Sequence, residues 1–164
     1  MSQAAHAPHA TASKASSGVG DPDTIDMLNR TLADAIVLYH KFRHYHWDVR
    51  GEKFFELHNR FELLYTEWAD LGDEIAERII ALGGRPLATL SQAVAQASIS
   101  EDPRTPPAME MVRILVTDLV AHRDQMREVI EHADGLNDRT TVNLLDGAHD
   151  AIEKHVWMLR AFLD

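Results

Sequence analysis

The sequence predicts an all-α protein: four long amphipathic helices in a bundle, with a short helix inside a long connection between the second and the third. Three observations predict it. Apolar residues recur at three- and four-residue steps in four separate stretches, the mark of helices that bury one face. No stretch alternates with the two-residue period of a strand. Gly, Pro and Asn clusters fall between the stretches, where helices stop.

Asp21-Pro22-Asp23-Thr24 reads as a helix start, with acidic side chains favoured by the N-terminal dipole. Ile25, Leu28, Leu32, Ile36, Tyr39, Phe42, His46 and Val49 then form one stripe, and Gly51 ends the helix. A second helix begins near Lys53 and carries Phe54, Leu57, Phe61, Leu64, Trp68, Leu71, Ile75, Ile79 and Leu82. Gly83-Gly84 and Pro86 stop it. Residues 88–97 predict a short helix, and 98–107 a Pro-rich loop. The third long helix covers about 108–133, and 135–138 (GLND) form a turn. The fourth runs from about 139 to 163 through Val142, Leu145, Ala148, Ile152, Val156, Leu159 and Phe162. Short joins make the first and last pairs antiparallel hairpins. The long middle connection permits an end-to-end crossover, which is the ferritin-like arrangement and not simple up-down-up-down.

The 164 residues, 45% hydrophobic and 26% charged, suit one soluble domain. Residues 1–20 lack the apolar run of a signal peptide and the means to bury a core, and read as a disordered tail before a 21–164 body. No run is long and apolar enough to cross a membrane. The absence of cysteine excludes disulfides, thiol catalysis, Cys-ligated zinc and iron–sulfur clusters, and fits a cytoplasmic setting. The net charge is −10, and without the tail's Lys14 the body holds 15 basic against 26 acidic residues, or −11. Such a body repels bare DNA and anionic membranes and attracts cations. Ten histidines beside these carboxylates supply ligands suited to iron, zinc or manganese.

The second helix concentrates that chemistry. At 100° per residue, Glu62 lies about 40° from His58, Asp73 about 60° and Glu77 about 100°, so all four share one flank. The apolar stripe is centred roughly 140° away. At about 1.5 Å of rise per residue, Glu62 and Asp73 are roughly 16 Å apart, and His58 and Glu77 about 28 Å. One helix cannot close one site with these groups. Two copies packed antiparallel about Glu67–Trp68 bring His58/Glu62 of one against Asp73/Glu77 of the other, giving two equivalent sites per dimer. The competing reading is a solvated flank whose Asp73–Glu77 pair repels slightly. No Glu is followed by His three residues later, which argues against an intrasubunit di-iron centre.

His46-Trp47-Asp48-Val49-Arg50-Gly51, Phe54-Phe55-x-Leu57-His58, Asp73-x-x-x-Glu77-Arg78, Leu82-Gly83-Gly84-Arg85-Pro86 and Lys154-His155-x-Trp157-Met158-Leu159 together resemble the Dps family of mini-ferritins. The resemblance covers nearly the whole body. It implies a four-helix subunit, a dodecameric shell of tetrahedral symmetry, and ferroxidase sites on two-fold interfaces. There Fe(II) is oxidised, with hydrogen peroxide favoured over dioxygen, and the product is stored as ferric mineral. It assigns His46, His58 and Glu62 to one subunit and Asp73 and Glu77 to its neighbour. Glu62 stands where relatives often have Asp. His46 otherwise reads as a buried histidine on the apolar stripe. Trp47 reads either as a sink for an oxidising equivalent or as an interface aromatic. Acidic pore candidates are Asp138, Asp146 and Asp150, with Asn143 where relatives often carry Asp.

The remaining body histidines, His40, His44, His122, His132, His149 and His155, read as structural or surface groups, and His6 and His9 as weak metal binders in the tail. Two other functions compete. A DNA-compacting protein would bind phosphates through its tails, but each tail offers only Lys14. A scaffold binding zinc without turnover would use the same ligands.

Overall fold

The computed structural model describes residues 20–163; the tail reading falls, Gly20 apart, outside the described residues. Five helices follow in order: α1 (Pro22–Asp48), α2 (Phe54–Ala81), α3 (Leu90–Gln96), α4 (Ala108–Gly135) and α5 (Arg139–Arg160). Among the described residues there is no strand. The four long helices form the bundle, and α3 is the short helix of the connection.

α1 packs along α2 and α4 along α5, as the short joins require, while α3 lies against α1. The core is contributed largely by the stripes predicted from the sequence, joined by Tyr45, which those stripes did not include. Phe42 and Tyr45 of α1 meet Phe61, Leu64 and Trp68 of α2, Leu115 and Leu119 of α4, and Ile152 and Val156 of α5. A smaller cluster of Leu28, Leu32, Ile75, Ile79, Val129 and Leu145 fills the other end.

α1 also carries polar side chains, buried or half-buried, that the apolar period does not reveal. Asn29 donates to the Arg85 carbonyl and accepts from the Leu87 N–H, both at 3.1 Å. Asp34, fully buried, accepts from Ser98 N–H and Oγ at 2.7 Å and from Ile99 N–H at 3.1 Å. Tyr45 donates to Asp102 at 2.6 Å, His44 donates to the Arg104 carbonyl at 2.9 Å, and Thr105 donates to Asp48 at 3.0 Å. The 82–107 connection is thus tied to α1 along most of the helix. Buried Lys41 makes a separate tie to Asp118 of α4 at 2.6 Å.

The helix ends differ from the sequence reading by a few residues. α1 stops at Asp48, where the Val49 N–H bonds back to the Tyr45 carbonyl. Gly51 takes φ +99°, a left-handed conformation that turns the chain into α2. Gly84 follows α2 because a β-carbon there would lie 2.6 Å from the Ile25 side chain. α4 runs through Gly135, and Asn137 (φ +60°), not the glycine, makes the left-handed turn. α5 ends at Arg160, short of residue 163. α3 is narrower than 88–97 because Thr89 caps it, sharing a capping box with Gln92.

Candidate metal centre

The join between α1 and α2 brings two histidines together. His46 lies in the last turn of α1 and His58 in the second turn of α2. Their rings stack with centroids 3.8 Å apart and planes 20° from parallel, and Phe54 stacks on His58 at 4.9 Å. His46 Nδ1 bonds the His58 carbonyl and His58 Nδ1 bonds the His46 carbonyl, each at 2.9 Å. A carbonyl only accepts, so both Nδ1 atoms carry protons. Each Nε2 therefore keeps a lone pair free for a metal, the arrangement in which a backbone partner fixes a ligating imidazole. Both residues are half-buried, so neither is the sealed core histidine that the His46 stripe position suggests.

Glu62 is exposed one turn beyond His58. Tyr65 donates to its Oε1 at 3.4 Å, packs its ring edge-on to His46 at 5.3 Å, and meets Tyr39 edge-on at 6.4 Å. Desolvation, then the Glu62 charge, pushes the Tyr65 hydroxyl above the ordinary phenol value. The Arg43 guanidinium lies 5.4 Å from the Tyr39 ring, 5.1 Å from Trp47 and 5.8 Å from Tyr65, and donates to the Tyr39 hydroxyl at 2.8 Å. Trp47 is 57% exposed. The sequence reading places Phe54 only on the apolar stripe and in the family motif, and does not single out Tyr65; it misses their contacts with the two histidines. Their signals were positional: Phe54 sits one turn before His58 and Tyr65 one turn after Glu62.

Asp73 and Glu77 lie far along the same helix, both exposed, and neither makes a side-chain hydrogen bond or ion pair among the described residues. Among the described residues, no three His, Asp or Glu side chains of the single chain converge on one metal position. Glu67, near the middle of α2, accepts from buried His155, whose Nδ1 accepts from Arg60 at 2.7 Å. His155 therefore ties α5 to α2, which agrees with a packing role.

The pore candidates divide. Asp138 caps α5 by accepting from the Thr141 N–H at 3.1 Å, and Arg78 donates to both its oxygens at 2.8 and 2.9 Å. Burial opposes its charge, but the Thr141 and Arg78 bonds outweigh it and hold the carboxyl below its ordinary range. Asp146 and Asp150 are exposed one turn apart on α5, with Asn143 exposed beside them.

Comparison with known proteins identifies the family. The family model described as a ferritin-like domain matches residues 25–164. The "DNA protection during starvation protein" of Brevibacillus brevis is 43% identical over 138 residues, which is 84% of this chain and 93% of that protein. "General stress protein 20U" of Bacillus subtilis is 39% identical over 139 residues, 85% of this chain and 96% of that one. The crystal structure of a Dps protein from Bacillus brevis superposes with a TM-score of 0.84 at 42% identity, covering 86% of this chain and 95% of that one. A Dps from Vibrio cholerae O1, described as a member of a broad superfamily of ferritin-like diiron-carboxylate proteins, gives a TM-score of 0.84 at 35% identity, covering 87% and 89%. With the helix order, the short α3 and identity extending over most of each relative, these matches establish that the chain belongs to the Dps family of ferritin-like proteins.

Proposed function

We propose that the protein is a ferroxidase and iron-storage shell that consumes Fe(II) together with hydrogen peroxide in the cytoplasm and so limits oxidative damage. The observation that carries this reading is the division of ligands along α2. His46, in the last turn of α1, joins His58 and Glu62 at one end of α2 with two Nε2 lone pairs free, and Asp73 and Glu77, without side-chain partners among the described residues, stand towards the other. Neither half-set holds a metal strongly alone. A two-fold partner turned head-to-tail completes both, so a dimer carries two sites, and a dodecamer built from such dimers carries twelve.

The chemistry follows from the ligands. Iron is the substrate. Carboxylates bind Fe(II) and stabilise Fe(III) more strongly, and imidazole suits iron as well. Few protein ligands leave open positions for peroxide. Two Fe(II) ions give one electron each, solvent supplies two protons, the peroxide O–O bond breaks, and two waters form without a free hydroxyl radical. Exposed Asp146 and Asp150 are the groups we assign to cation entry; Asp138 contributes less because Arg78 already neutralises it. The relatives' printed names speak of DNA protection. The −10 charge favours protection by peroxide removal over protection by coating phosphates.

The test is the His58→Ala/Asp73→Ala double variant. It should assemble normally, yet oxidise Fe(II) with peroxide at least about 100-fold more slowly, since even outer-shell losses at metal sites cost 10–100-fold. Wild-type kinetics in an intact double-variant shell would refute the site.

A further inference from the structure

The last turn of α1 carries His46, and a helix end frays unless its free carbonyls and side chains are held. The Tyr45 carbonyl takes the Val49 N–H, and the His46 carbonyl takes the His58 Nδ1–H. The backbone at residue 46 therefore orients the second imidazole as well as carrying the first, and whatever fixes this turn fixes both rings. The fixing comes from outside the α1–α2 hairpin. Residues 102–105 of the Pro-rich loop meet the turn at three points: Tyr45 donates to Asp102 Oδ2 at 2.6 Å, His44 donates to the Arg104 carbonyl at 2.9 Å, and Thr105 donates to Asp48 Oδ2 at 3.0 Å. Asp102 is the centre of this contact. Its carboxylate is only 7% exposed and receives two donors on each oxygen. Arg104 N–H (3.0 Å) and Nε–H (2.8 Å) bond Oδ1, while Arg104 Nη2–H (2.9 Å) and the Tyr45 hydroxyl bond Oδ2. All its lone-pair directions are thus occupied. The Arg104 side-chain bonds above all hold the carboxyl far below the ordinary carboxylate range, so it remains an acceptor. Pro103 and Pro106 stiffen the segment on either side of Arg104-Thr105.

Resting on the ferroxidase reading above, we propose that Asp102 is a positioning residue of the iron site: through Tyr45 it holds the last turn of α1, and with it the imidazoles of His46 and His58, in the arrangement that binds metal. Asp102 acts at second hand, on the backbone that carries and orients the two rings. The 2.6 Å bond is of the short, charge-assisted kind, and fully buried Tyr45 has no other hydroxyl partner among the described residues. Without Asp102 that hydroxyl is left unpaired in the core, Arg104 loses the acceptor around which its loop folds, and the turn is free to shift. Any shift of the His46 backbone moves both rings at once, since each Nδ1 is held by the other residue's carbonyl. The number of ligands does not change. Their aim does, and misdirected imidazoles bind metal more weakly.

Assembled shells titrated without oxygen with Co(II) alone, followed by the visible absorption of the bound ion, read this affinity without turnover. Asp102→Ala should weaken Co(II) binding about 10-fold, within the 10–100-fold cost of losing groups that orient metal ligands. Tyr45→Phe, which keeps every charge, should weaken it several-fold in the same direction. Asn29→Ala is the control. It cuts the tie of residues 85 and 87 to α1, about 26 Å along the helix from His46, and should leave the affinity unchanged whatever it does to the melting temperature. Wild-type affinity in both Asp102→Ala and Tyr45→Phe overturns the proposal. A loss in only one of them overturns it as well, since the bond they share is then not the cause. An equal loss in Asn29→Ala does the same, because it marks general loosening. Should Asp102→Ala fail to assemble, Tyr45→Phe against Asn29→Ala decides alone. The His58→Ala/Asp73→Ala shell separates the two claims. If it binds Co(II) as wild type does, the site itself is wrong and Asp102 falls with it. If binding is lost there but ignores Asp102→Ala and Tyr45→Phe, the site stands and only the positioning role fails.

Discussion

His122 of α4 is the most unusual single residue in the bundle. It is fully buried, and neither ring nitrogen has a hydrogen-bond partner among the described residues. Asp34 lies 3.9 Å away, too far to bond, and its oxygens already serve Ser98 and Ile99. Desolvation pushes the ring's pKa down from 6.5 to about 3, so it is neutral in the folded protein. The unfolded chain takes up the proton first. Its contribution to stability is therefore intact above the unfolded value of 6.5 and falls as pH drops from there toward 3, by up to about 1.4 kcal/mol per unit. His122→Leu should remove that slope and, by relieving an unsatisfied polar group, raise stability by about 1–3 kcal/mol at neutral pH. Thermal unfolding followed from pH 7 to pH 4.5 checks both; an unchanged slope would show that His122 is protonated in the fold. At this scale the sequence was legible where spacing alone decides. The shared flank of His58, Glu62, Asp73 and Glu77 follows from 100° per residue. The His46–His58 lock and the Tyr65 contact were not legible, because they depend on how the α1–α2 crossing meets two rings twelve positions apart.

At the scale of elements, the 82–107 connection is held less by its own short helix than by α1. α3 buries only Ala93, whereas Asp34 alone accepts three hydrogen bonds from residues 98 and 99. Asp34→Ala would leave two backbone N–H groups without their acceptor. It should cost about 3 kcal/mol, with Asp34→Asn costing less because its carbonyl oxygen still accepts. Denaturant unfolding gives the magnitude. Limited proteolysis gives the place: cleavage in Asp34→Ala should concentrate between residues 86 and 107, since local opening there no longer breaks the tie. An unaltered cleavage pattern would mean that other ties hold the loop. The four long helices were legible because each has a 3.6-residue stripe and a stop signal. The buried polar ties of α1 were not: Asn29, Asp34 and Lys41 follow no apolar period, and their partners lie 56 or more residues away in sequence. The turn after α4 was legible as a turn but starts one residue later than 135, since Gly135 stays helical and Asn137 adopts the left-handed conformation.

At the scale of the molecule, a single chain leaves Phe55, Ile80, Leu90 and Trp157 each more than 60% exposed, more large apolar surface than a solitary subunit ordinarily presents. That fits a subunit whose helices complete their burial, and their ligand sets, against copies of themselves. The division of ligands gives assembly a test that needs no structure of the complex. In the proposed site, His58→Ala removes the histidine half and Asp73→Ala the carboxylate half. Each single-variant shell should be nearly inactive, because every site has lost one half. In a mixed dimer, the two damaged halves meet in one site and the two intact halves meet in the other, which is whole. Random co-assembly from equal amounts places one chain of each kind in half of the dimers. About a quarter of all sites should then be complete, and peroxide-driven Fe(II) oxidation should recover to about a quarter of the wild-type rate. Mixing after separate assembly should restore nothing until subunits exchange. A site contained within one chain predicts no recovery under any mixing protocol, so the measured fraction decides whether this chemistry belongs to the subunit or to the pair.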